Sequence, residues 1–186
     1  NIHHDSILRN KACAITPDIN GTVTIPSTQN SISNNAFDGC SSLSSVVFEP
    51  DSSLKLIDEY AFRSATSLTG LTIPASVTEI SWYAFYQCSS LSSLVFEADS
   101  SLTLIDNNAF QSATSLTALT IPPSVTRIGF SAFASCYSLS SVIFESDSSL
   151  TLIDDYAFQS ATSLTVLTIP PSVKRLGMHV FSKCYG

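Results

Sequence analysis

Charge is scarce in this chain, and basic charge scarcest: 12% of the 186 residues are charged, with eight Lys and Arg against 15 Asp and Glu. The net charge of -7 repels phosphate backbones and anionic lipid, so nucleic acid is excluded as an expected partner. No stretch approaches the ~20 apolar residues that cross a bilayer, which excludes membrane insertion by this segment. There are three His, of which His3 and His4 lie in the irregular amino-terminal stretch and His179 near the other end. No Gly-rich phosphate loop, H-E-x-x-H, C-x-x-C or G-x-S-x-G occurs, so neither catalysis nor a cofactor or metal site is expected. Asn1 to Asp5 supply neither an initiator Met nor a signal-type apolar run, and the sequence reads as processed or as part of a longer chain.

Hydroxyls take the place of charge. The 35 Ser and 17 Thr make a polar surface without ions, and the expected role of the Ser abundance is scaffold rather than nucleophile. The organisation is a repeat. Ala-Phe recurs at Ala36-Phe37, Ala61-Phe62, Ala84-Phe85, Ala109-Phe110, Ala132-Phe133 and Ala157-Phe158, with Val180-Phe181 closing a series spaced alternately 25 and 23 residues apart. The true period is therefore 48, and residues 51–98 match residues 99–146 at 32 of 48 positions. One flavour continues Ala65, Leu68, Leu71, Ile73-Pro74, Val77 and Ile80. The other continues Cys88, Leu91, Leu94, Phe96-Glu97, Leu102 and Ile105.

An L-x-x-L-x-I/F core at this period predicts rungs that bury their apolar faces only against their neighbours. Seven strands are expected, centred on Thr24, Val47, Thr72, Val95, Thr120, Ile143 and Thr168, with flanking apolar residues pointing inward. Pro26, Pro74, Pro122 and Pro170 stop alternate strands because they carry no N–H for a ladder. The two additional residues of the longer interval, in the stretch Phe48 to Leu54, place a bulge on every second rung.

The run Ile121-Pro122-Pro123-Ser124-Val125-Thr126-Arg127-Ile128-Gly129-Phe130-Ser131-Ala132-Phe133-Ala134-Ser135-Cys136-Tyr137-Ser138-Leu139 resembles the BspA-like, or Treponema-type, leucine-rich repeat over residues 23 to 184. That resemblance implies a right-handed leucine-rich-repeat solenoid of the α/β class, with short parallel strands and short helical or 3-10 turns on the convex side. It also implies a secreted or cell-surface protein of microbes, often adhesive, and no shared catalytic residue. The departures are the strict 23/25 alternation and Ala65, Ala113 and Ala161 where the pattern has Cys. Residues 1–22 are expected to form an irregular amino-terminal cap or linker, and residues 23–186 the solenoid. Tyr185-Gly186 stops where another rung would begin, and further repeats or a partner are expected to cover that end.

Cys40, Cys88, Cys136 and Cys184 stand two rungs apart, nearly ~10 Å at ~4.8 Å per rung, beyond the ~7 Å that a disulfide spans. They read as small buried packing groups. Cys13 lies 27 residues before Cys40, near one rung's length, which leaves a cap disulfide open. Acids form the columns Glu49/Glu97/Glu145, Asp51/Asp99/Asp147 and Asp58/Asp106/Asp154. Carboxylates that repeat at ~10 Å do not converge as a Ca²⁺ site requires, so they are read as turn formers and solubilising groups.

Binding residues are sought where the repeat stops repeating. The column Asn34, Glu59, Trp82, Asn107, Phe130, Asp155 and Met178 is polar at four positions, so it is expected to face solvent. Trp82, Phe130 and Met178, flanked by Tyr83, Tyr86 and Tyr137, then make an apolar line and the first candidate for a protein partner; satellite packing over the turns is the competing reading. The outward strand positions Val47, Thr72, Val95, Thr120 and Ile143, with the Glu97 and Glu145 edge, form the second candidate. The Thr column does not read as an ice-binding array, because Thr alternates with Val or Ile. Asn20-Gly21-Thr22 is an N-glycosylation sequon. A secreted or surface binding module is the leading expectation, and a structural subunit packed within a larger assembly is the alternative.

Overall fold

The computed structural model describes residues 13–186, so His3, His4 and most of the expected cap lie outside the described residues. Over the described residues the chain winds through seven parallel rungs, each supplying two strands, the first longer than the second in all but the seventh rung. The longer strands are β1 (Thr22–Ile25), β3 (Ser45–Phe48), β5 (Gly70–Ile73), β7 (Ser93–Phe96), β9 (Ala118–Ile121), β11 (Ser141–Phe144) and β13 (Val166–Leu167). The shorter ones are β2 (Ser31–Ile32), β4 (Leu56–Ile57), β6 (Glu79–Ile80), β8 (Leu104–Ile105), β10 (Arg127–Ile128), β12 (Leu152–Ile153) and β14 (Arg175–Leu176).

The longer strands fall where the register places them, with Val23, Ile25, Leu71 and Ile73 buried and Thr24 and Thr72 exposed between them. The seventh departs from expectation, since β13 ends at Leu167 and Thr168 lies outside it. The shorter strands were not anticipated. They make an unbroken seven-stranded parallel sheet, β14-β12-β10-β8-β6-β4-β2, anchored by inward Ile32, Ile57, Ile80, Ile105, Ile128 and Ile153.

On the other face the ladder is broken. β1 pairs with β3, β5 with β7, and β9 with β11 and β13, while no ladder joins β3 to β5 or β7 to β9. Both breaks fall on the 25-residue step, and at the third such step β11 and β13 keep only two residue pairs. Phe48, Phe96 and Phe144, each half-buried at the end of a strand, stand at these openings where Ile25, Ile73 and Ile121 end the intervening strands and are buried.

The convex turns correct the helical expectation: no helical residue occurs among those described. The reason is where the amides go. Phe37, Phe62, Phe85, Phe110 and Phe133 donate their N–H to Ala61, Ala84, Ala109, Ala132 and Ala157 of the following rung at 2.7–2.8 Å, so these N–H groups cannot serve a helix. Every rung also carries two left-handed residues four apart, such as Tyr83 (φ 55°) and Gln87 (φ 58°), which break any helical run. The hydroxyls serve the same inter-rung bonding. Ser92, Thr117, Ser140 and Thr165 donate to the carbonyls of Thr69, Ser92, Thr117 and Ser140 at 3.0–3.3 Å, a ladder of side chains beside the ladder of backbone.

The core is a stack of rings. Phe37, Phe62, Phe85, Phe110, Phe133 and Phe158 lie nearly parallel with centroids 4.9–5.4 Å apart, and all six are fully buried. Beside them Cys88 and Cys136 donate their thiol hydrogens to the carbonyls of Phe62 and Phe110 at 3.0 and 3.3 Å. At the amino-terminal end Cys13 and Cys40 form a disulfide, with Cα atoms 5.2 Å apart, and the Ala14 N–H bonds the Ala36 carbonyl across the first rung.

Candidate functional site

The candidate column sits on the convex turns, two residues beyond each shorter strand. In the third rung the chain leaves β6 at Ile80, passes Ser81 and Trp82, and takes a left-handed conformation at Tyr83 before Ala84-Phe85 turns inward. The left-handed position repeats at Asn35, Tyr60, Tyr83, Asn108, Ser131, Tyr156 and His179. Each such residue costs roughly 1–2 kcal/mol unless it is Gly, Asn or Asp. A bond to the next rung offsets it: the Tyr60 N–H reaches the Trp82 carbonyl at 3.1 Å, Asn108 reaches Phe130 at 2.8 Å, and Tyr156 reaches Met178 at 2.9 Å.

This geometry leaves the apolar members in water. Trp82 is 47% exposed, Phe130 42% and Met178 66%. The alternate members have a different task. Asn107 Oδ1 accepts the Phe130 N–H and Asp155 Oδ1 the Met178 N–H, both at 2.8 Å, so these two polar residues, unlike Glu59 before Trp82, brace the backbone of the apolar one that follows. Gly129 and Gly177 make room for this, since a Cβ at either position would lie 2.7 or 2.4 Å from the backbone nitrogen of Asn107 or Asp155.

The structure gathers the flanking rings into two groups. Tyr83 stacks on Tyr60 at 5.3 Å and meets Tyr86 edge-on at 5.4 Å, while the Arg63 guanidinium lies 4.7 Å above Tyr60. Arg63 is held there by two bonds to the Asp38 carboxylate, at 2.8 and 2.6 Å, which also raise its pKa. Farther along, Phe130 meets Tyr156 edge-on at 5.5 Å, and Tyr156 stacks on His179 at 5.2 Å. Tyr137 is exposed but joins neither group of rings. Tyr60, Tyr156 and His179 escaped the sequence reading; their signal is the position just before each Ala-Phe pair, obscured because Asn and Ser share it.

The second candidate surface is less regular than the sequence suggested. Val47, Val95 and Ile143 are exposed as expected, but no ladder joins β3 to β5 or β7 to β9, so the Val/Thr columns do not lie on one continuous sheet. Glu49 and Glu97 are occupied, accepting the backbone N–H of Ser27 and Ala75 at 2.9 Å. Asp58, Asp106 and Asp154 each accept the N–H of the residue that follows them. Asn20 is exposed in a turn whose backbone is tied to Asp18 Oδ1 through the N–H groups of Asn20 and Thr22, both at 2.8 Å.

Reactive chemistry is suppressed at the thiols: burial pushes Cys88 and Cys136 up to about 12, far from nucleophilic range. Among the described residues no group of three or more His, Cys, Asp or Glu is placed to hold a metal ion, and no helix is long and apolar enough to cross a membrane.

The family described as BspA type leucine rich repeat region (6 copies) matches residues 7–99 and again residues 83–186. The structure of the pneumococcal vaccine antigen PcpA is similar, with 28% identity and a TM-score of 0.68, over 88% of this chain and 38% of that one. A leucine rich cell surface protein from Faecalibacterium prausnitzii A2-165 is 30% identical, with a TM-score of 0.57, over 88% of this chain and 36% of that one. A leucine-rich repeat protein from Bacteroides ovatus is 28% identical, with a TM-score of 0.63, over 84% of this chain and 47% of that one. The chain thus spans less than half the length of each. No curated protein matches it in sequence.

Proposed function

The chain belongs to the BspA-type leucine-rich repeat family, and from that footing we propose that it is a non-catalytic, adhesin-like protein-binding module of a secreted or cell-surface protein. Its partner is held on the convex line of Trp82, Phe130 and Met178, with Tyr83 and Tyr86 beside Trp82. The observation that carries this reading is the alternation within one column. Half-buried Glu59, Asn107 and Asp155 are interleaved with three apolar side chains that the neighbouring rungs leave 42–66% exposed. Exposed aromatic residues arranged on a rigid scaffold are what binding hot spots are made from.

Support for the compartment comes from two directions. The Cys13–Cys40 disulfide suits an oxidising environment. Two structural relatives are a vaccine antigen and a cell surface protein. Asn20, exposed within its sequon, is open to N-glycosylation where the secretory route provides it. The test is capture of partners from host or matrix protein fractions by the wild-type chain and by the Trp82→Asn/Phe130→Asp double variant. Loss of one captured protein with the variant supports the proposal, and an unchanged set of captured proteins overturns it.

A further inference from the structure

Three carboxylates close the ends of equivalent strands, Glu49 after β3, Glu97 after β7 and Glu145 after β11, yet among the described residues only Glu49 and Glu97 have a hydrogen-bond partner. Glu49 Oε2 accepts the N–H of Ser27 and Glu97 Oε2 that of Ala75, each 22 residues earlier and each at 2.9 Å. The corresponding residue for Glu145 is Pro123, which has no N–H to give. The backbone there is otherwise preserved: the Glu145 N–H still bonds Ile121 at 3.2 Å, and Ser149 still bonds the Pro123 carbonyl at 2.8 Å. A single change from Ala or Ser to Pro therefore frees one carboxylate without altering its frame. The ion pairs among the described residues are Arg63–Asp38 and Arg127–Asp154, and neither involves Glu145 or Asp147.

This carboxylate borders a groove. Where β11 and β13 keep only two residue pairs, the face opens into a groove of about 510 Å³, walled by Ile143, Phe144, Val166 and Ile169, with Glu145 and Asp147 on its rim. A related groove of about 420 Å³ lies at the first opening and includes Val47, Phe48, Thr72, Val95 and Glu97. Its lining is more polar than that of the β11/β13 groove, and its carboxylate is already bonded to the Ala75 N–H.

We infer that the groove at β11 and β13 receives a lysine side chain of a partner polypeptide, its apolar stem against Ile143, Phe144 and Val166 and its ammonium on Glu145. A Lys stem lies along apolar surface while the charged head stays hydrated at the edge, and an ammonium on a free carboxylate makes a charge-assisted bond. The net charge of -7 draws a cationic segment toward the surface before contact. This site is separate from the convex aromatic line and stands whether or not that line binds anything.

The test is a titration of the folded chain with acetyl-Leu-Lys-Leu-amide, followed by amide chemical shifts. Saturable shifts are expected at Ile143, Phe144, Val166 and Ile169, diminishing as salt is raised. Glu145→Gln is expected to weaken binding roughly tenfold or more, and Glu97→Gln to leave it unchanged. Glu145 is exposed, and a Gln at position 97 still offers an oxygen to the Ala75 N–H, so both variants should stay folded, with spectral changes confined to the neighbourhood of each substitution. The inference is overturned if the peptide does not bind, if a Gln-centred peptide binds equally well, or if the two variants behave alike.

Discussion

The rings of Phe85 and Phe110 stack with centroids 4.9 Å apart and planes within 2° of parallel, although 25 residues separate them in sequence. Each face of Phe110 meets another Phe, since Phe133 lies at 5.2 Å on the far side. Removing the ring opens a void between two rungs that cannot close without breaking the Phe110 N–H bond to Ala132. Phe110→Ala should therefore cost ~3–5 kcal/mol in denaturant unfolding and lower hydrogen-exchange protection in both flanking rungs. A loss below ~1 kcal/mol would be incompatible with this spine.

The buried thiols give a pH-dependent expectation. Both states keep them protonated below the ~8.5 of a free Cys, so their contribution is constant there. Between that value and about 12 the unfolded chain ionises while folded Cys88 and Cys136 do not. Stability should fall as pH rises through this window, by up to ~1.4 kcal/mol per unit for each thiol. Ala already occupies the equivalent place at Ala65 and Ala113, so Cys88→Ala/Cys136→Ala should fold and show a flatter alkaline decline than wild type. Parallel declines would contradict the mechanism, as would rapid thiol labelling of the folded protein.

The Cys13–Cys40 bond closes a loop of 27 residues, for which chain entropy predicts ~3–4 kcal/mol. Its effect should be local, because rungs interact with nearest neighbours. Cys13→Ala should raise hydrogen exchange at β1 and β2 and leave β8 to β12 protected. Uniform loss along the solenoid would show that this end controls the whole.

Parts of this architecture were readable in the sequence because the period repeats them. The Phe spine and the longer strands follow from residues that recur in register seven times. The shorter strands escaped because each contributes one inward residue, Ile32 or Ile57 for example, and a single apolar residue offers no alternation to read. The broken ladder escaped for another reason. Whether β3 reaches β5 depends on the course of the chain through a 25-residue step and on the packing of Phe48 at the opening, neither of which is a property of any one position. Similarly, Trp82 and Phe130 announced themselves as exceptions in a polar column, whereas Tyr60 and Tyr156 matter through stacks that appear only when the left-handed turns align them.

The convex line is decided by separating stability from binding. Phe130 touches Tyr156 edge-on, a contact worth ~0.5–1.5 kcal/mol, and both Trp82 and Phe130 are nearly half exposed, so Trp82→Asn/Phe130→Asp should lower stability by about 2 kcal/mol and leave the chain folded. The backbone of the line survives, because Asn107 accepts the Phe130 amide whatever the side chain at that position is. Partner binding should nevertheless weaken by ~2 kcal/mol or more, as expected for truncated aromatic anchors. Asn107→Ala supplies the converse: it removes the acceptor of the Phe130 N–H at an exposed turn and should cost ~0.5–1.5 kcal/mol of stability while leaving the apolar side chains in place. Isothermal titration against the captured partner, with denaturant unfolding of the same samples, reads both quantities. If the double variant unfolds, Trp82 and Phe130 are packing residues over the turns, and if it binds the partner as wild type does, the partner site lies elsewhere.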